Sequence, residues 1–249
     1  MKRVLACLLL SIVTTSAHAD TPAFDRPGIA FSTQTLPAGS MSWEQGLPDA
    51  VHNDDQGTQS TLYSADTRIR VGLATNLELQ VADSLYNRLR TRSEGDSTVE
   101  HGASDLNLAL KVALPSSQNI SWALLGGISF ATGANAFTND TQQYSLAASV
   151  NVHLNDAYAT GFYVGATRSG KDNAYTLSPN FSFPLSAKLG GYVEAGYTFG
   201  DHIDKNEVAG GGLAWMASDR LQLDLYALHG LTARSTDLQA GFGVSMYFP

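Results

Sequence analysis

The end of the chain alternates between apolar and small or polar side chains. The apolar positions are Leu238, Ala240, Phe242, Val244, Met246 and Phe248. Side chains on a strand point alternately to opposite faces, so this segment forms a ribbon with one apolar face and one polar face. A ribbon of this kind fits a soluble sandwich, with its apolar face inward, or a membrane barrel, with that face turned to lipid.

The start of the chain favours the membrane barrel. Lys2 and Arg3 precede an apolar run over residues 4–13, and Ala17 and Ala19 are small residues at the positions that a signal peptidase reads. The run is too short to span a bilayer as a helix. We therefore predict a signal peptide over residues 1–19. The final strand, which ends in an aromatic residue and then Pro249, resembles the closing strand of bacterial outer-membrane barrels.

Composition excludes several classes of protein. Cys7 is the single cysteine and would leave with the signal peptide, which excludes a disulfide or a thiolate site in the mature chain. Loss of Lys2 and Arg3 would take the formal charge from -8 to -10, which argues against a nucleic-acid partner. The mean hydropathy of -0.09 is compatible with a barrel, because lipid-facing and lumen-facing residues average out.

Residues 20–39 contain Pro22, Pro27 and Pro37 and have little periodicity. We interpret them as an irregular segment that lies in the periplasm or folds into the lumen as a plug. Residues 40–249 are assigned to the barrel.

Three short motifs near the start carry a family resemblance. They are RPGIAFST over residues 26–33, TLPAG over 35–39 and EQGLP over 44–48. Together they resemble the opening of the outer-membrane transporter family labelled "MetA-pathway of phenol degradation". The resemblance implies a barrel, and the label hints at aromatic compounds.

The remaining pattern predicts an all-β fold, an up-and-down antiparallel transmembrane β-barrel of about 12 strands. The predicted strands cover residues 40–47, 61–72, 76–84, 105–114, 119–131, 143–154, 157–168, 174–184, 187–200, 206–217, 220–230 and 236–248. Short polar turns alternate with connections that are mostly longer, such as 49–60 and 85–104, as in an outer-membrane barrel. Ser64, Asp66, Arg68 and Arg70 share one strand face, which is hard to reconcile with a dry core.

Projecting the polar face inward gives candidate lumen residues. We expect six of them to line a path and set its selectivity. They are Arg68, Arg70, Glu78, Lys111, Glu194 and Asp224. The same residue types also fit a closed barrel whose interior is filled by paired charges.

Catalytic and metal-binding patterns are weak. The mature chain lacks Gly-x-Ser-x-Gly, Ser-x-x-Lys and His-Glu-x-x-His motifs, so we predict no catalytic residues, no cofactor and no metal. The acid and histidine cluster over residues 201–204 is compatible with a protease-like site, but a solvated loop is favoured. His52 with Asp49, Asp54 and Asp55 is likewise compatible with a divalent cation or a hydrated acidic loop.

The sequence thus predicts an outer-membrane channel for passive or gated passage of small molecules, and the family label implies aromatic or hydrophobic ones. The expected partners are outer-membrane lipid and lipopolysaccharide, the barrel assembly machinery and a small-molecule solute. Two alternatives remain: a non-conducting structural or surface-binding barrel, and an outer-membrane hydrolase.

Overall fold

The structure is a computed structural model that describes residues 23–249. The predicted signal peptide and residues 20–22 lie outside the described residues. Residues 23–249 contain no helix that is long and apolar enough to cross a membrane.

The described chain forms one closed antiparallel sheet. Its strands are β1 (Met41–Asp55), β2 (Thr58–Ala74), β3 (Leu77–Ser93), β4 (Asp96–Gly102), β5 (Leu106–Ala113), β6 (Ile120–Phe130), β7 (Gln143–His153), β8 (Ala159–Ser169), β9 (Asp172–Pro184), β10 (Leu189–Gly200), β11 (Asn206–Ser218), β12 (Leu221–Gly230) and β13 (Leu238–Phe248). β4 and β5 pair with different halves of β3, so together they fill one barrel position. The sheet closes where β1 pairs with β13, which confirms the predicted barrel of about 12 strands.

The two faces of each strand point as the alternation predicts. On β5, Leu110 is 48% exposed on the outside, whereas its neighbour Lys111 is fully buried inside. On β13, Phe242 is exposed and Ser245 is buried. The apolar face therefore points outward, which excludes the sandwich.

Two predicted loops are strands instead. Residues 49–60 and 85–104 form hairpins whose turns contain Gln56 and Gly57, and Glu94 and Gly95, all with positive φ. Positive φ at both central residues is typical of the tight type I′ turn. The hairpins were missed because many of their side chains are polar on both faces, so the apolar period of two is absent. The expectation of longer connections at every second junction is wrong here and at residues 170–171.

The barrel has two distinct ends. The terminal end carries the start of β1, the end of β13 and the turns at residues 75–76, 114–119, 154–158, 185–188 and 219–220. The loop end carries the two hairpin turns and the connections 131–142, 170–171, 201–205 and 231–237.

Residues 23–39, here called the plug segment, lie inside the barrel. The segment forms two limbs side by side, residues 23–25 and the return limb, residues 32–36. The Ala23 N–H of the first limb donates to Gln34 Oε1 of the second at 3.1 Å. The return limb reaches the terminal end, where the Thr35 hydroxyl donates to the carbonyl of Thr75. Leu36 packs in a small apolar cluster that includes Tyr247 of the last strand.

Candidate functional site

Asp25 is the centre of the contacts between the plug segment and the barrel. Its side chain is buried and accepts hydrogen bonds from Lys111 Nζ at 3.0 Å and Gln80 Nε2 at 2.8 Å. Its backbone N–H donates to both carboxylate oxygens of Glu44, at 3.1 and 3.0 Å. Asp25 is therefore bound on its side chain and its backbone by three different strands.

Arg70 holds both limbs of the plug segment. Its guanidinium is fully buried and donates to the two oxygens of Glu78 at 2.8 and 2.9 Å, and to Glu44 at 2.9 Å. It also donates to the carbonyls of Ala23 at 3.0 Å and Gln34 at 3.4 Å. A planar guanidinium suits this role because its five N–H groups point in fixed directions.

The charges around the plug segment balance when the partly exposed Arg68 is counted. Three carboxylates, Asp25, Glu44 and Glu78, face the cations Arg70 and Lys111, with Arg68 of the same strand as Arg70 at 3.9 Å from Asp25. Burying charges is costly unless each one is paired and hydrogen-bonded. The network therefore depends on the plug segment, because Asp25 supplies one of its three negative charges.

The tip of the plug segment, residues 26–31 between the two limbs, contacts a second group of barrel residues. Arg26 donates to the two oxygens of Asp49 at 2.7 and 3.0 Å and to Asp224 at 3.3 Å. The Ile29 N–H donates to Glu194 at 3.0 Å, whereas Glu194 Oε1 is buried without a hydrogen-bond partner among residues 23–249.

The plug segment divides the lumen into two cavities. The loop-end cavity has a volume of about 390 Å³, and the larger cavity on the other side of the tip has about 660 Å³. Both are lined by Asp25, Pro27, Gly28 and Glu194 and by no other shared residue of the described chain. The tip of the plug segment and one barrel carboxylate thus lie between them.

Comparison with known proteins identifies the family. The model of the family described as "Putative MetA-pathway of phenol degradation" matches residues 24–248. The chain belongs to this family. The resemblance predicted from residues 26–48 is thereby confirmed. Comparison with curated proteins gave no significant match.

Solved structures with a similar fold are outer-membrane barrels. A KdgM porin has a TM-score of 0.56 at 10% identity, covering 84% of this chain and 99% of that chain. A NanC porin has a TM-score of 0.51 at 6% identity, with the same coverage of both chains. The translocator domain of the autotransporter NalP from Neisseria meningitidis has a TM-score of 0.51 at 12% identity, covering 86% and 90%. At these identities the likeness shows the fold alone.

The structure brings the six predicted lumen residues to the plug segment, in different environments. Arg70, Glu78 and Lys111 are fully buried in the ionic network around Asp25. Arg68 and Glu194 line the loop-end cavity, and Glu194 also lines the larger one. The sixth, Asp224, is buried beside Arg26. Their role in selectivity remains a prediction.

Sequence reasoning missed three residues of the site. Asp25 and Arg26 lie in the segment without periodicity, and the only signal for them was the family motif that begins at Arg26. Asp49 was assigned to a loop and considered only as part of an acidic cluster there, so its contact with Arg26 was missed. A bulge between Gly46 and Asp49 shifts the register of β1, which turns this odd-numbered residue inward although Glu44 also points inward.

The acidic and histidine residues of the other candidate sites contact groups of the barrel and the plug segment. Asp49 binds Arg26, His52 Nδ1 lies 2.9 Å from the Thr61 hydroxyl, and Asp54 accepts from Gln59. Within residues 23–249 no group of three or more His, Cys, Asp or Glu is placed to hold a metal ion.

The loop over residues 201–204 is exposed, as a solvated loop would be. His202 Nδ1 lies 3.0 Å from Asp172, and Asp201 accepts from the N–H and the side chain of Asn173. These two bonds lower the pKa of Asp201 below its usual value. Both contacts join this loop to the start of β9.

Asp105 fastens the longest connection of the loop end, residues 131–142. Its carboxylate accepts hydrogen bonds from the backbone N–H groups of Thr132, Gly133 and Asn139 at 3.0, 2.9 and 2.8 Å. Burial alone would raise the pKa of Asp105, but the N–H groups of Asn139 and Gly133 outweigh it and lower the pKa. A carboxyl group whose pKa is lower in the folded state than in the unfolded state stabilises the folded state fully at pH values above its ordinary pKa. This stabilisation is lost as the pH falls through the lowered pKa.

We expect Asp105→Ala to increase the population in which residues 131–142 are open about tenfold. This is the factor that corresponds to the loss of one charge-assisted hydrogen bond. Hydrogen exchange of this connection at neutral pH measures the opening, with Asn135→Ala in the same connection as control. Wild-type protein should show the same opening only at strongly acidic pH. Equal exchange in the two variants would contradict this role of Asp105.

Proposed function

We propose that the protein is an outer-membrane channel for small molecules and that the plug segment gates it. The observation that carries the proposal is the division of a polar lumen into two cavities by the tip of one irregular segment. Hydrogen bonds and ion pairs hold this segment at its tip and along both limbs, with only small apolar clusters beside them. Polar contacts of this kind can be exchanged for water, so the segment can move without exposing a large apolar surface.

The walls of the larger cavity support a solute with an aromatic or apolar body. Phe31 of the plug segment lies there with Phe183, Tyr192 and Met216 of the barrel. Apolar walls with a few polar groups are typical of small-molecule sites. The family label points the same way. Charged groups beside the tip, among them the six predicted lumen residues, would then set selectivity.

The location and partners follow from the same reading. The predicted signal peptide exports the chain in a Gram-negative bacterium, and the barrel assembly machinery inserts it in the outer membrane beside lipid and lipopolysaccharide. The protein acts without catalysis. A non-conducting structural barrel is the second candidate, favoured by the balanced ionic network that fills one part of the lumen.

A reversible lock on the plug segment tests the proposal. The Thr33 and Ser121 hydroxyl oxygens are 2.7 Å apart, so cysteines at both positions lie close enough to form a disulfide between the plug segment and β6. We expect the oxidised Thr33→Cys/Ser121→Cys variant in liposomes to block solute flux and the reduced variant to restore it. The single variant Thr33→Cys, treated identically, is the control.

The sole natural cysteine, Cys7, lies in the predicted signal peptide, so the mature protein brings no competing thiol to this experiment. Flux of ions and of small aromatic solutes is measured in the same liposomes. If neither the wild-type protein nor the reduced variant passes any solute, the channel proposal is wrong and the structural barrel is favoured.

A further inference from the structure

The pocket that holds the Arg26 side chain is built entirely from barrel strands. Asp49 of β1 and Asp224 of β12 supply the carboxylates. Glycines supply the space: a Cβ atom at Gly46 or Gly241 would collide with the Asp49 carboxylate, and one at Gly243 would lie 2.8 Å from Arg26 Cζ. The pocket is therefore shaped for a flat guanidinium group.

The pocket carries more negative charge than Arg26 neutralises. Two carboxylates face one guanidinium, and the fully buried Asp224 keeps its Oδ2 atom without a hydrogen-bond partner among the described residues. Asp66, which is exposed, lines the same cavity as Asp49. Uncompensated buried carboxylates favour the binding of a cation.

The pocket borders the loop-end cavity. Arg26, Asp49 and Tyr226 all line the loop-end cavity of about 390 Å³. A small cation in that cavity therefore lies beside the Asp49 carboxylate, to which Arg26 is hydrogen-bonded. Displacing Arg26 would remove the contacts of its side chain with Asp49 and Asp224.

We propose that the pocket formed by Asp49, Asp224 and the three glycines is a binding site for small guanidinium compounds, which compete there with Arg26 and loosen the plug segment. The regulatory part rests on the proposed channel function, whereas the binding site does not. Guanidinium is favoured over ammonium because its planar fork pairs with a carboxylate through two parallel hydrogen bonds.

Binding is tested first in the variant that empties the pocket. We expect methylguanidinium to raise the melting temperature of Arg26→Ala in detergent with saturable dependence. Its affinity should be about tenfold tighter than that of methylammonium, the factor for one charge-assisted hydrogen bond. Neutral N-methylurea should have no effect. Adding Asp49→Asn and Asp224→Asn should abolish the response. Equal affinities for the two cations would overturn the proposal.

Competition is tested in protein that keeps Arg26, so the test survives if Arg26→Ala does not fold. Leu36 of the plug segment is buried, and a Leu36→Cys variant reports release through its reaction with a maleimide. Methylguanidinium should raise the labelling rate several-fold over methylammonium at equal concentration. Equal rates would overturn the competition.

Labelling and flux together separate this inference from the channel proposal. If labelling rises with methylguanidinium but no solute passes, the site is upheld and the channel is wrong. If flux depends on reduction of the Thr33→Cys/Ser121→Cys disulfide but methylguanidinium changes neither flux nor labelling, the channel is upheld and the inference is wrong.

Discussion

An Arg70→Met variant is expected to lose about 3–5 kcal/mol of folding free energy, the usual cost of breaking a buried ion pair by removing one partner. Arg70 is fully buried and binds Glu44, Glu78 and the carbonyls of both limbs of the plug segment. Methionine matches much of the length of arginine, but it leaves Glu44 without an ion pair among the described residues and Glu78 with Lys111 as its remaining cation. Urea unfolding in detergent micelles, followed by tryptophan fluorescence, measures the loss.

Arg68→Met is the matched control for this prediction. Arg68 lies two residues away on the same face of β2, but its side chain is 37% exposed and lies 3.9 Å from Asp25. An exposed pair contributes about 0–1 kcal/mol, so we expect a loss in that range. Similar losses in the two variants would show that the ionic network does not hold the barrel interior together.

Asp25→Asn is expected to release the plug segment about a hundredfold more often than in the wild type, which corresponds to about 3 kcal/mol for one uncompensated buried charge. The amide keeps the volume of the carboxyl group and can still accept from the Ser32 N–H, so the effect reports the lost charge beside Lys111 together with the lost hydrogen bond from Gln80 Nε2. Maleimide labelling in the Leu36→Cys background measures release, and solute flux in liposomes should rise with it.

Thr33→Val is the control within the plug segment. It removes a single hydrogen bond to Ser121, which contributes about 1 kcal/mol, and should raise labelling about fivefold. If Asp25→Asn labels no faster than Thr33→Val, the charge of Asp25 does not hold the segment.

Strand alternation predicted the barrel well because the lipid-facing side chains must be apolar whatever fills the lumen. Leu110 outside and Lys111 inside follow from parity alone. Parity also placed Arg68 and Arg70 on one face of the strand. It did not predict that Arg70 is fully buried in the ionic network whereas Arg68 is partly exposed. That difference comes from Asp25 and the other residues of the plug segment, whose position inside the barrel has no periodic signal.

The tip of the plug segment was beyond sequence reasoning for another reason. Asp49 points inward only because β1 bulges after Gly46, and Arg26 meets Asp224 across 198 positions of the chain. Pro48, which cannot donate to a strand ladder, was the one available hint of a bulge.

The pocket for Arg26 straddles the junction where the barrel closes. Asp49 and Gly46 come from the first strand, and Gly241 and Gly243 come from the last. An unfinished sheet has no such pocket, so the plug segment can lock its tip only after the two ends of the chain have paired. Closure of the lumen by the plug segment is therefore coupled to closure of the barrel, and an incompletely folded barrel keeps an open lumen.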